Sequence, residues 1–126
     1  MDSNKREAGL KVMSEMFGPD VTAGFTGKSA EFGGELVSMA VENVFGGIWA
    51  RPGLSRRDRS LLTIAILIQA RAFDELRVHL RVGLTNGLTK AELAEVIYHA
   101  VAYCGIPSAH GAWSVAMEVL GPEQKS

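Results

Sequence analysis

The sequence is poor in cysteine, in net charge and in long apolar runs, and each shortage removes a class of function. Cys104 is the one cysteine in 126 residues, so the chain cannot form an internal disulfide, a Cys-x-x-Cys redox pair or a cysteine-rich zinc site. Lys and Arg number 13 against 14 Asp and Glu, a formal net charge of -1. With no excess of positive charge and no RNA- or DNA-binding motif, nucleic acid is not expected as a partner. The longest apolar run, residues 61–70, already contains Thr63 and Gln69 and is far shorter than the roughly 18 residues a membrane span needs. The first residues, Met1-Asp2-Ser3-Asn4-Lys5-Arg6-Glu7, hold no apolar export core. A cytoplasmic location without membrane contact is the expectation.

What is present suits one helical domain. At 126 residues, with 47% apolar and 21% charged, the chain can fill one core and not two, so a single domain over 1–126 is expected. The periodicity reads as all-α, with about six helices. Gly9, Leu10, Met13 and Phe17 share one side of a helix over residues 5–17 that Gly18-Pro19 stops, and a loop rich in Gly and Thr follows. Phe32, Leu36, Met39 and Ala40 recur at i, i+4, i+7 and i+8. They predict a second amphipathic helix over residues 29–44, ended by Gly46-Gly47 and followed by irregular chain over 48–53. Ser55 and Asp58 open a third helix, apolar nearly all round over 61–70, as in a helix buried mid-fold. Thr89 and Glu92 form a capping box ahead of the stripe Leu93, Ile97, Ala100, Val101 and Cys104. Pro107 suits the first turn of the last helix, with Ala109, Ala112, Trp113, Ala116 and Leu120 as its buried face.

One segment is ambiguous. Leu76, Val78, Leu80, Val82 and Leu84 alternate with Glu75, Arg77, His79, Arg81 and Gly83, which is a strand signature. No second strand is available to pair with it, and an isolated strand leaves its backbone unsatisfied. A helix capped by Asp74, carrying Leu76, Leu80 and Leu84 on one stripe and ending near Asn86-Gly87, is the reading adopted.

Particular residues carry a resemblance. Trp49-Ala50-Arg51-Pro52-Gly53-Leu54, then Arg59-Ser60-Leu61-Leu62-Thr63-Ile64-Ala65, Asp74-Glu75-Leu76-Arg77-Val78-His79-Leu80-Arg81 and Asn86-Gly87-Leu88-Thr89 follow one another in order. With His99-Ala100-Val101-Ala102-Tyr103-Cys104-Gly105-Ile106-Pro107, they make residues 32–120 resemble the carboxymuconolactone decarboxylase family. The resemblance implies the all-α fold of the alkylhydroperoxidase D superfamily and a ring-like homo-oligomer, a hexamer built as a trimer of dimers. It also implies a role in protocatechuate catabolism, through decarboxylation of 4-carboxymuconolactone to the β-ketoadipate enol-lactone. Peroxidases of that superfamily place a Cys-x-x-Cys pair before a histidine. His79 aligns with that histidine, while Ala72 and Glu75 occupy the cysteine positions, so thiol peroxidase chemistry is not implied. Many of the decarboxylases carry Gly-Glu-Val-Trp where this chain has Gly46-Gly47-Ile48-Trp49, and Asn where it has His110.

The implied reaction needs no cofactor and no metal, because the lactone contains its own electron sink. The protein must hold a small anionic lactone, stabilise an enolate and deliver one proton. His79 is the candidate proton carrier, since an imidazole with an unperturbed pKa of roughly 6.5 can be acid or base at neutral pH. Glu75, one helical turn earlier, can orient it and favour its protonated form. Taken without the resemblance, a surface histidine in a weak ion pair is the preferred reading. Arg51, Arg56, Arg57, Arg59, Arg71, Arg77 and Arg81 supply guanidinium groups that grip carboxylates. Arg51, beside Trp49 in the irregular segment, is the preferred substrate ligand, with Arg81 as a further one, whereas Arg59 reads as structural. His99 shares the polar side of its helix with Glu92, Glu95 and Tyr103. It is either a solvated residue or part of a site at a subunit boundary. A zinc site from His79, His99 and His110 lacks any two histidines paired on one element. The competing function is a related oligomer that acts on or binds a different small carboxylated molecule.

Overall fold

The computed structural model describes residues 3–121, which fall into two compact units, one ending at Leu54 and the other starting at Ser55. Every regular element among these residues is helical, and none is long and apolar enough to cross a membrane. Among the described residues there are seven α-helices, against the expected number of about six.

In the N-terminal unit, α1 (Ser3–Phe17) is followed by α2 (Pro19–Thr26), a 3-10 turn (Gly27–Ala30) and α3 (Glu35–Met39). From α3 the chain continues unbroken as a π-helical segment, Ala40–Trp49. Met13, Val37 and Val41 form the core, with Leu10, Phe17, Phe25 and Phe45 packed against them. Gly9 and Gly46 let α1 and the π-helical segment touch backbone to backbone. A Cβ on Gly9 would collide with the Val41 carbonyl, and one on Gly46 with the Lys5 carbonyl. That close packing explains why Gly46-Gly47 do not end the helix, as the sequence led us to expect. Tertiary contact offsets glycine's conformational cost.

The expected Gly- and Thr-rich loop is α2, where Pro19 suits the first turn and Asp20 faces the positive end of the helix dipole. Thr22 and Thr26 turn their hydroxyls back onto the Gly18 and Thr22 carbonyls at 2.8 and 3.0 Å. Helix over 29–34 is also corrected. Gly33 has φ 68°, outside the helical range, so α3 starts at Glu35. Phe32, Leu36 and Met39, expected inward, are exposed, and Val37 and Val41 are buried instead. The segment carries two apolar stripes, and packing on α1 selects the second.

The C-terminal unit packs α4 (Arg56–Ala70), α5 (Phe73–Thr85), α6 (Lys90–Cys104) and α7 (Ile106–Leu120) around Ile64, Ile68, Leu76, Leu80, Leu93 and Ala112. Ser55 caps α4 by accepting the Asp58 N–H at 3.0 Å. The expectation that α4 is buried all round fails. Only the Ser60, Ile64 and Ile68 stripe is enclosed, while Leu62 and Ile66 are exposed.

Segment 73–85 is a helix with Leu76 and Leu80 fully buried. Its cap is Ala72 rather than Asp74, because the left-handed turn at Arg71 starts the helix earlier. The Thr89–Glu92 capping box is complete, both bonds measuring 3.0 Å. On α6, Leu93, Ile97 and Ala100 are buried, whereas Val101 is exposed. On α7, Ala109, Ala112 and Val115 are buried. Trp113, one position beyond that stripe, is exposed against His110. Gly111 faces the Phe73 ring, which a Cβ there would overlap.

Candidate active site

Helical spacing builds a concavity in the C-terminal unit. Arg57, Leu61 and Ala65 recur every four residues and share one face of α4. On α6, the same spacing aligns Glu92, Val96, Ala100 and Cys104, flanked by Glu95, His99 and Tyr103. The two faces line an open cavity of about 550 Å³. Its walls are apolar, from Leu61, Ala65, Val96 and Ala100. Its polar groups are Arg57, Glu92, Glu95, His99 and Tyr103, beside the Cys104 thiol.

At one end Arg57 forms an ion pair through Nη2 with Glu92 Oε2, and Nη1 donates to Asp58 Oδ1 at 3.3 Å. Glu92 also accepts the Thr89 N–H at 3.0 Å through Oε1. That backbone bond, reinforced by Arg57 and opposed by desolvation, holds the Glu92 carboxyl below the usual range. The His99 ring lies against Tyr103, centroids 5.3 Å apart. An apolar slot with a guanidinium, an imidazole and a phenol on its edge can hold a small ring, grip one of its carboxylates and donate protons to it.

Of the residues singled out from the sequence, His99 lines this cavity. Glu75 and His79 lie on α5, outside it. His79 is half-buried, and burial pushes its pKa down. The nearby Glu75 charge pulls the other way but does not prevail. The net direction therefore opposes the protonated form that the Glu75 spacing alone suggested.

Arg81 follows His79 by two residues, about 200° around the helix, so the two do not share a face. Its charge instead acts on Glu118 of α7, which Arg77 grips through bonds of 2.7 and 3.2 Å. Trp49 and Arg51 belong to the N-terminal unit. Trp49 is buried and stacked on Phe45 at 6.5 Å, and Arg51 is exposed just past the π-helical segment. His79, His99 and His110 stand on three different helices. Among the described residues no three His, Cys, Asp or Glu side chains cluster as a metal site requires.

Sequence reasoning did not separate Arg57 from its neighbours. The available signal was that Arg57 and Glu92 each sit in the first turn of a capped helix, on its cavity-facing stripe.

The sequence profile of the Carboxymuconolactone decarboxylase family matches residues 35–118, from the start of α3 into α7. The chain belongs to the carboxymuconolactone decarboxylase family. Its helical fold is the alkylhydroperoxidase D-like fold of that family. The 4-carboxymuconolactone decarboxylase of Acinetobacter baylyi is 37% identical over 119 residues, covering 94% of this chain and 89% of that protein. The nitrosuccinic acid decarboxylase of Metarhizium robertsii is 33% identical over 114 residues, 90% of this chain and 80% of its own length. An uncharacterised 15.0 kDa protein of Paracoccus denitrificans is 38% identical over 87 residues, 68% of this chain and 65% of that one.

Proposed function

We propose that this protein is a carboxy-lyase that converts 4-carboxymuconolactone to the β-ketoadipate enol-lactone in the cavity between α4 and α6. The observation that carries the reading is the 37% identity, over 94% of the chain, to a protein of that activity. The nitrosuccinic acid relative supports the reaction type. A lactone carbonyl and a nitro group both accept the electron pair left behind when CO2 departs, so one protein strategy serves both acids.

Arg57 grips a substrate carboxylate through its guanidinium, and the apolar walls take the body of the molecule. As the C–C bond to the departing carboxylate breaks, its electrons pass into the lactone carbonyl. Tyr103 and His99 offer donors to the enolate, and His99 returns one proton to carbon. Solvent then restores the histidine.

A second reading makes His79 the proton carrier on α5, oriented by Glu75 one helical turn earlier. The half-burial of His79 favours it. A dianion bound nearby would raise the imidazole pKa and load it with a proton. Loss of CO2 would then remove negative charge and make that proton easier to give up.

Gly47 and His110 favour a different carboxylated substrate as the alternative function. The test is to mix purified protein with the lactone generated enzymatically from protocatechuate, follow its loss in the ultraviolet and measure CO2, with nitrosuccinate in a parallel reaction. Loss of lactone with equal CO2 is the expected result. Turnover of nitrosuccinate alone reassigns the substrate, and turnover of neither overturns the proposal.

A further inference from the structure

We infer that Glu92 positions Arg57 for anion binding, and that Asp58 is a placeholder which a ligand carboxylate displaces from the same guanidinium. The inference rests on the cavity reading above and extends it to two residues that do not touch the reacting atoms.

The two carboxylates hold Arg57 in different ways. Glu92 has a fixed partner on each oxygen, the Thr89 N–H on Oε1 and Arg57 Nη2 on Oε2. Because the first bond is part of the α6 capping box, swinging away costs the carboxylate its bond to the Thr89 N–H. Arg57 Nη2 is therefore pinned to a rigid element, which is what a precise anion grip requires.

Asp58 is held differently. Its bond to Nη1 is long, at 3.3 Å, it comes from the adjacent residue, and the Asp58 side chain is 51% exposed. Such a pair contributes little. Asp58 also has an independent reason to stay charged where it is, in the first turn of α4 near the positive end of the dipole. Exchanging Asp58 for another carboxylate at Nη1 therefore costs little and leaves Arg57 still anchored. The ligand class that follows is a small molecule offering one carboxylate to Arg57, with an apolar or ring-shaped body on Leu61, Ala65 and Val96.

Two substitutions should act with opposite sign. Glu92→Gln keeps the capping box, since Gln serves there as well as Glu, but it removes the charge that pins Arg57. Asp58→Asn keeps the N–H that Ser55 accepts and removes the competing charge. With succinate as the probe in calorimetry, Glu92→Gln should weaken binding roughly tenfold, and Asp58→Asn should tighten it roughly two- to fivefold. In turnover, KM should move in the same directions and by more than kcat. A merely structural role for Glu92 would lower the melting temperature without this KM bias. Shifts of the same sign, no shift in either variant, or no succinate binding at millimolar concentration overturns the inference. If the opposite shifts appear but no lactone is consumed, the anion grip stands and the reaction reading fails. If lactone is consumed but succinate affinity ignores both substitutions, the reverse holds.

Discussion

His79 is half-buried on α5, and desolvation outweighs the Glu75 charge to keep its pKa below the ordinary imidazole value. A histidine whose folded pKa is lowered binds protons more readily in the unfolded chain. Stability is thus unaffected well above about pH 6.5 and falls as pH drops from there through the folded pKa. Thermal denaturation across that range should show the native protein losing stability on the acid side and His79→Gln losing less. Equal losses would mean that His79 is not the group responsible.

At the cavity, Arg57→Lys should raise KM roughly tenfold with a smaller effect on kcat, because a point charge cannot hold Glu92 and a ligand as a planar fork does. Steady-state kinetics with the lactone checks this. The family resemblance, joined to imidazole chemistry, marked His79 as the candidate acid and left His99 as either a solvated residue or part of a boundary site. The sequence did not mark Arg57, because Arg56-Arg57-Asp58-Arg59 offers three arginines in one local setting. Only the packing of α4 beside α6 decides which of them meets Glu92.

At the scale of the elements, capping chemistry was the most legible feature. Ser55 and the Thr89–Glu92 box both lie where the residue types required. These signals need no tertiary information, since a cap satisfies its own helix end. Thr89→Ala should accordingly cost about 0.5–2 kcal/mol in denaturant unfolding.

The strand-like alternation of residues 75–84 was resolved correctly by asking where the backbone hydrogen bonds could go. The stripe Phe32-Leu36-Met39 was not, because periodicity ranks apolar faces without saying which neighbour will cover them. Nor could the sequence reveal that Gly111 makes room for the Phe73 ring, a contact between α7 and α5. Gly111→Ala should be destabilising by about 1–3 kcal/mol, the usual cost of overpacking. Calorimetry showing no loss would mean that the ring simply shifts aside.

At the scale of the whole molecule, large apolar side chains remain uncovered in both units. Phe32, Leu36 and Met39 are exposed in the N-terminal one, and Leu62, Ile66 and Ile106 in the C-terminal one. Surfaces of this kind mark association sites. We therefore propose that the protein is a homo-oligomer, and light scattering that gave a stable monomer at micromolar concentration would contradict it. Activity is expected to survive a chelator, since the proposed chemistry draws on no metal.

Whether the proton comes from the α4–α6 cavity is tested directly by the lactone turnover rate of His99→Gln beside His79→Gln, each confirmed as folded. We predict that His99→Gln loses roughly 10²- to 10⁴-fold in turnover, the usual weight of a positioned acid, while His79→Gln stays within a few-fold of the native rate. A near-native rate in His99→Gln with the large loss in His79→Gln would contradict the claim and move the reaction to α5.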